Sequence, residues 1–349
     1  MAYIYLAKLY IRHFLAVLAG LELFYILIDL LQNQKNIPDG ANLAVLYVVY
    51  QLAAATKLTL PLAAALASVS AVTSLVRNSE FAALMALGMS KRQIVAPFFT
   101  VSFCIVSIHI ITGMTPVGNY YDNAQALLKN ARPISPQGGV FVKLDDSYIY
   151  MQKLNLRNSV AEKVKVYDFK NAKLMQITEA KSASFSNGTW NLEQPKSYVL
   201  DDVKVVPTKS STLLSQMRGL EPNMLANITG SSTGLNLADS LRAIWILKDQ
   251  TLNLDRLKNS ISATVLIPFF APAFIVFALA FAPAGGRFLS LSTYSAAMVV
   301  SALFLWGGLL ALSKYLASAK SLSQLFLLFT ICTLFGISAY FYRYKLEKI

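Results

Sequence analysis

Few side chains in this sequence could do chemistry, and most of them are charges set in or beside apolar runs. Glu80 is the first. It stands in Arg77-Asn78-Ser79-Glu80-Phe81-Ala82-Ala83-Leu84-Met85-Ala86-Leu87-Gly88-Met89-Ser90, between two long apolar stretches. Ser79 or Asn78 can cap a helix there, and Glu80 falls in its first turn, where the macrodipole favours an anion. Phe81, Leu84 and Leu87 share one face, Gly88 ends the helix, and Ser90-Lys91-Arg92 starts the next. The segment 77–90 reads either as an interfacial linker packed on its own bundle or as a coupling helix that docks on a partner ATPase. Glu22, Asp29 and Lys57 lie inside apolar runs, where charges face a cavity or one another. Asp29 and Lys57 fall near the outer ends of their runs and suit a structural ion pair. Lys35, just beyond the first run, suits an anionic lipid headgroup or plain solvent.

Catalytic constellations are missing from the sequence. It has no G-x-x-x-x-G-K-[ST] loop to cradle a phosphate and no Ser/His/Asp or zinc-ligand pattern. Gly285-Gly286-Arg287 suits a tight cytosolic turn. His13 and His109 have no Cys/His/Asp cluster beside them, so no metal site is expected. Cys104 and Cys332 sit inside apolar stretches and read as small buried hydrophobes, not as a disulfide. The expectation is a non-enzymatic protein without a cofactor, drawing any energy for transport from elsewhere.

These charges need a scaffold, and the scaffold is a membrane protein. Of 349 residues, 55% are hydrophobic and 14% charged, against about 25% charged in soluble domains. The net charge of +13 does not imply nucleic acid, because basic residues gather beside anionic headgroups. Spans are expected at 14–31, 58–76, 94–114, 261–281, 292–317 and 322–341. The second apolar stretch, 43–76, covers about 50 Å as a helix, too long for one crossing. It divides into a surface helix, 43–55, and a span from 58, with Pro61 kinking the join. The first run lacks a cleavage pattern and reads as a retained anchor. Lys8, Arg12, Arg77, Lys91, Arg92, Arg287, Arg343, Lys345 and Lys348 all fall on one side of six alternating spans, whereas the opposite loops hold Lys35 and Lys320. The positive-inside rule then places both termini in the cytoplasm and the large insert outside.

The insert reads as all-β. Short alternating strands fall at 140–144, 147–151, 164–169, 183–185, 189–192, 197–200 and 203–206. Turns fall at Asp145-Asp146, Asn187-Gly188 and Asp201-Asp202. This suggests a sandwich, jellyroll or open barrel. Phe141, Tyr148, Tyr150, Phe169, Phe185 and Trp190 are candidates for an apolar interior that carries lipid chains. A helical stretch follows from 235, where Asp239 could cap and Trp245 is placed as an interface anchor. The resulting domains are 1–114 (spans one to three with the 77–90 helix), 115–235 (β) and 236–349 (linker helix and spans four to six).

At the level of motifs the chain resembles the LptF/LptG family of lipopolysaccharide transport permeases. The 3+3 layout around an extracytoplasmic β domain matches throughout. Pro61-Leu62-Ala63-Ala64-Ala65-Leu66 is similar to the family's Pro-Leu-small-small pattern. The 77–90 segment resembles its R-x-S-E-hydrophobic coupling helix. Tyr148-Ile149-Tyr150, Val166-Tyr167-Asp168-Phe169, Ala183-x-Phe185 and Trp190-x-Leu192 look like the LptG flavour of the β domain, and Ile267-Pro268 also fits.

The resemblance implies a six-helix inner-membrane permease with a periplasmic β-jellyroll, paired with its homologue, LptF if this chain is LptG. It further implies a cytosolic LptB ATPase dimer that binds the ATP, and lipopolysaccharide passed onward to LptC. Arg77, Glu80, Phe81, Leu84, Leu87 and Gly88 then occupy the coupling segment, with Glu80 at the position that engages LptB. The family's LptG carries several lysines around the outer end of the first span that meet lipid A phosphates, and here only Lys35 is close, shifted along the chain. Two rivals stand beside this reading: a permease of another ABC exporter, for lipoproteins or efflux, and a membrane-anchored scaffold whose β domain binds a protein.

Overall fold

The computed structural model describes residues 1–115, 120–128, 139–144, 146–155, 158–170, 173–201, 204–208, 213–214, 217, 220–222, 224–225, 236–247, 254–283, 290–318 and 323–346. Asp145, Asp202, Val203, Gly285-Gly286-Arg287, Lys320 and Lys348 lie outside them. The chain forms two compact units, Met1–Lys35 with Val48–Gly113 and Asn259–Ile349, and Asn36–Tyr47 with Met114–Lys258.

The first unit is helical. It is built from α1 (Ala2–Asn33), most of α2 (Ala41–Arg77), α3 (Glu80–Ala86) and α4 (Lys91–Gly113). After the β insert come most of α7 (Asp255–Leu266), a 3₁₀ turn (Ile267–Phe269), α8 (Phe270–Ala280), α9 (Leu291–Ser318) and α10 (Ser323–Tyr344). Six helices among the described residues are long and apolar enough to cross a membrane, with the fourth running from Leu257 to Ala280 through the turn at Pro268. The interior is α2 and α8. Ala63, Ala64, Ala65, Ala67 and Ala71 of α2 are fully buried, as are Ala271 and Ala278 of α8. Small residues let backbones approach closely where lipid offers no hydrophobic drive for helix association. Tyr10 wedges against Phe98 with ring centroids 5.2 Å apart and donates its hydroxyl to the carbonyl of Ala64 at 2.8 Å.

The second apolar stretch lies within one unbroken helix of 37 residues, not a surface helix and a separate span. Pro61 removes a single backbone donor, whereas a break in lipid would orphan several. Threonines secure the turn before it: Thr56 and Thr59 donate to the carbonyls of Leu52 and Ala55, each at 3.0 Å. Cys104 and Cys332 are likewise exposed on the outer faces of α4 and α10, not buried. An apolar solvent removes the reason to hide a small hydrophobe.

The second unit holds α5 (Tyr120–Leu127), eight strands and α6 (Leu237–Leu247). The strands are β1 (Val140–Leu144), β2 (Ser147–Asn155), β3 (Val160–Lys170), β4 (Lys173–Ser186), β5 (Thr189–Glu193), β6 (Lys196–Asp201), β7 (Lys204–Thr208) and β8 (Leu213–Leu214). All pairings are antiparallel in one network, β1-β2-β3-β4-β5-β8, with β6 and β7 branching from β4. The fork arises because β4 is long. Gln176–Glu179 pairs β6, and Ser182–Ser186 pairs β5. Near the fork the inward alternation slips by one residue, from Ile149 and Met151 to Leu154, from Val166 and Val164 to Ala161, and from Thr178 and Ala180 to Ala183. Lys163, at φ 49°, sits on that line. Asn187 and Gly188, at φ 51° and 75°, make the expected hairpin turn between β4 and β5.

A candidate coupling helix and the polar and aromatic residues of a lipid path

The helix α3 has seven residues, shorter than the 77–90 expected. Ser79 precedes it in the left-handed region, at φ 60°, and its hydroxyl caps nothing. Side-chain capping requires an extended backbone, which neither this residue nor the abrupt exit from α2 supplies. The sharp turn sets Glu80 at the first position of α3. Its carboxylate accepts a 2.5 Å hydrogen bond from the Tyr5 hydroxyl of α1 and a 3.5 Å bond from Asn78 Nδ2.

Phe81 is buried, and Leu84, Met85 and Met89 pack on the same core. Leu87, expected on that face, is 81% exposed. It lies one residue past the last helical turn, at ψ 4°, where helical spacing no longer applies. The helix ends on Gly88 at φ +86°, with Met89 N–H donating to the carbonyl of Leu84 at 3.1 Å. A capping box opens α4: Gln93 N–H donates to Ser90 Oγ at 3.3 Å, and Ser90 N–H to Gln93 Oε1 at 2.9 Å. Arg77 is exposed at the end of α2. The loop therefore presents Arg77, Ala82, Ala83, Ala86 and Leu87 outward, with Glu80 half-exposed and fixed by Tyr5.

Polar contacts join α1 to α2 along much of their length. Asp29 accepts from Gln51 Nε2 at 2.8 Å and from Asn33 Nδ2 at 3.2 Å. Thr56 donates to Glu22 Oε1 at 2.6 Å, and His13 Nδ1 lies 2.9 Å from Ser70 Oγ. Gln51 is fully buried, Lys57 is half-buried, and Lys35 is exposed in the turn after α1. Sequence reasoning named Asp29 but missed Gln51, whose signal was a carboxamide alone in an apolar run.

The six aromatics of the β domain divide between two faces. Register pairs Phe141 with Tyr150 and Tyr148 with Tyr167, opposite in parity to buried Val142, Ile149 and Val166. Phe141, Tyr148 and Phe169 form a ring cluster on that outer face, at 5.7 and 5.2 Å. Only Phe185 and Trp190 face inward, as a direct cross-strand pair 5.4 Å apart. Trp190 is fully buried and donates Nε1–H to the carbonyl of Leu220 at 2.9 Å. Met217, Leu220 and Leu225 fill the same cluster. An interior shared by all six is thus overturned, because alternate residues of a strand point to opposite faces.

At the start of α6 the cap is Asn236, not Asp239. Ala238 N–H donates to Asn236 Oδ1 at 3.0 Å, and Asp239 lies in the first turn. Burial raises the Asp239 carboxyl above its ordinary range, opposed by Arg242. Trp245 is exposed on this helix.

Against known families, residues 4–345 match the model described as lipopolysaccharide export system permease LptF/LptG. No curated protein matches the sequence.

Proposed function

The chain belongs to the LptF/LptG family of lipopolysaccharide export permeases, and from that membership we propose that it is the transmembrane subunit that turns ATP hydrolysis by a partner into extraction of lipopolysaccharide. The partners would be a homologous permease, an LptB-type ATPase dimer in the cytosol and an LptC-type bridge receiving the lipid. The β-domain motifs support LptG over LptF. The chain itself hydrolyses nothing, and ATP stays on the partner. The one-sided distribution of Lys and Arg supports cytoplasmic termini and a periplasmic β domain in a bacterial inner membrane.

The observation that carries this reading is α3, a short helix between two spans, anchored by Phe81 and presenting Glu80 and Leu87. A partner seated there would pull directly on α2 and α4. The polar rungs at Asp29–Gln51 and Glu22–Thr56 would keep α1 moving with α2. In the β domain the acyl chains would follow the inner face at Phe185, displacing Leu220 and its neighbours. Each buried CH₂ contributes about 0.8 kcal/mol to such a path.

A photo-crosslinker settles the face. Placed at Phe185 in the assembled complex, it should capture lipopolysaccharide, and more of it when ATP is supplied; placed at Tyr150, it should not. Transport without any adduct at inward positions would make the β domain a docking module and not a conduit.

A further inference from the structure

A groove of about 680 Å³ runs between α4, α8 and α10. Its walls are Val95 and Phe99 from α4, Val276 from α8 and Phe335 from α10, and Arg92 and Arg343 line it at one end. We infer that it holds one anionic phospholipid, with an acyl chain along the apolar walls and the phosphate at the arginine pair.

Charge argues for this occupant. Neither α4, α8 nor α10 contains an Asp or Glu, yet Lys91, Arg92, Arg343 and Lys345 cluster at the same end. The last carbonyls of α10 would repel a phosphate, but Arg92 covers them, donating Nε–H and Nη2–H to the carbonyls of Tyr342 and Arg343, each at 3.0 Å. Its guanidinium also stacks 5.0 Å from the Tyr342 ring, so a planar cation is held in place at that end. Lys345 stands 3.3 Å from the centroid of Phe281, adding a second fixed charge nearby. Deeper in, the hydroxyls of Ser338 and Thr100 are spent on the carbonyls of Ala273 at 2.8 Å and Ala96 at 2.9 Å, leaving that part of the groove for hydrocarbon. A body lined by apolar side chains with cations at one end is complementary to an amphiphile with a charged head.

Native mass spectrometry of the full-length protein in detergent tests this, with dioleoyl phosphatidylglycerol and dioleoyl phosphatidylcholine as probes. One phosphatidylglycerol should be retained with at least about fivefold preference, and Arg343→Gln should remove about fivefold, the contribution of one basic side chain near a lipid phosphate. Ala339→Trp, or Thr100→Trp from the opposite wall if the first fails to fold, should displace both lipids. Excess inorganic phosphate should leave the adduct in place. Equal retention of the two lipids, indifference to the tryptophan variants, or displacement by inorganic phosphate would each overturn the assignment.

Discussion

The Tyr5 hydroxyl donates a 2.5 Å hydrogen bond to Glu80 Oε2, tying the first turn of α1 to the first turn of α3 across 75 residues of sequence. The carboxylate proposed to meet the ATPase is therefore positioned by α1. Glu80→Lys should abolish co-purification of the ATPase. Losing a charge-assisted contact costs about 1.5–3 kcal/mol, and the reversed charge adds repulsion. Tyr5→Phe, which keeps the ring but frees the carboxylate, should weaken co-purification less while leaving the fold intact. A normal pull-down and normal transport in Glu80→Lys would sink the coupling role.

Trp190 and Phe141 should differ sharply as mutation sites. Trp190→Ala empties a fully buried position and should cost about 3–5 kcal/mol of β-domain stability. Trp190→Phe keeps much of the volume but strands the carbonyl of Leu220, at about 1–3 kcal/mol. Phe141→Ala, on the outer face and 55% exposed, should cost less than about 1 kcal/mol. Denaturation of the purified protein, followed by far-ultraviolet circular dichroism, ranks the three. An equal loss at Phe141 and Trp190 contradicts the assignment of faces.

Asp239 supplies a pH test. Burial lifts its carboxyl above the ordinary 3.8, the larger effect, and Arg242 pulls the other way. A raised folded value means that its contribution is complete below 3.8 and is lost as pH climbs through the folded value. Asp239→Asn removes this loss. The variant's melting temperature relative to the parent should therefore rise as pH rises through that window, then level off. A flat difference, or one that falls, refutes the assignment.

Topology can be read with cysteines. Single cysteines at Asn187 and Arg343, in a background lacking Cys104 and Cys332, should react with an impermeant maleimide from opposite sides of the membrane. Labelling of both from one side would reject six alternating spans.

Ser90→Ala removes one half of the capping box that starts α4 and should cost about 1 kcal/mol. Ser79→Ala, where the hydroxyl caps nothing, should be close to neutral. The two substitutions are compared by thermal melting, and a larger effect at Ser79 would contradict the observed turn.

The sequence by itself determined the membrane class, the β insert between the third and fourth spans and the family. The first two rest on composition and period, which survive without knowledge of neighbours: twenty apolar residues span lipid whatever packs beside them, and Asn187-Gly188 favours a turn by its own backbone preferences. The family rests on the resemblance of motifs such as Pro61-Leu62-Ala63-Ala64-Ala65-Leu66 and the 77–90 segment. Tertiary structure decided which face each residue meets. The length of 43–76 argued for dividing that stretch, but the cost of open backbone in lipid keeps α2 continuous. Phe81 and Leu87 looked equivalent until the C-terminal turn of α3 rotated one out of the core. Tyr148 and Trp190 looked alike as strand aromatics, yet register and the phase slip at the β4 fork set them on opposite faces. Tyr5–Glu80 and Asp29–Gln51 were invisible, because such pairs depend on how two helices lie side by side, which local sequence does not encode.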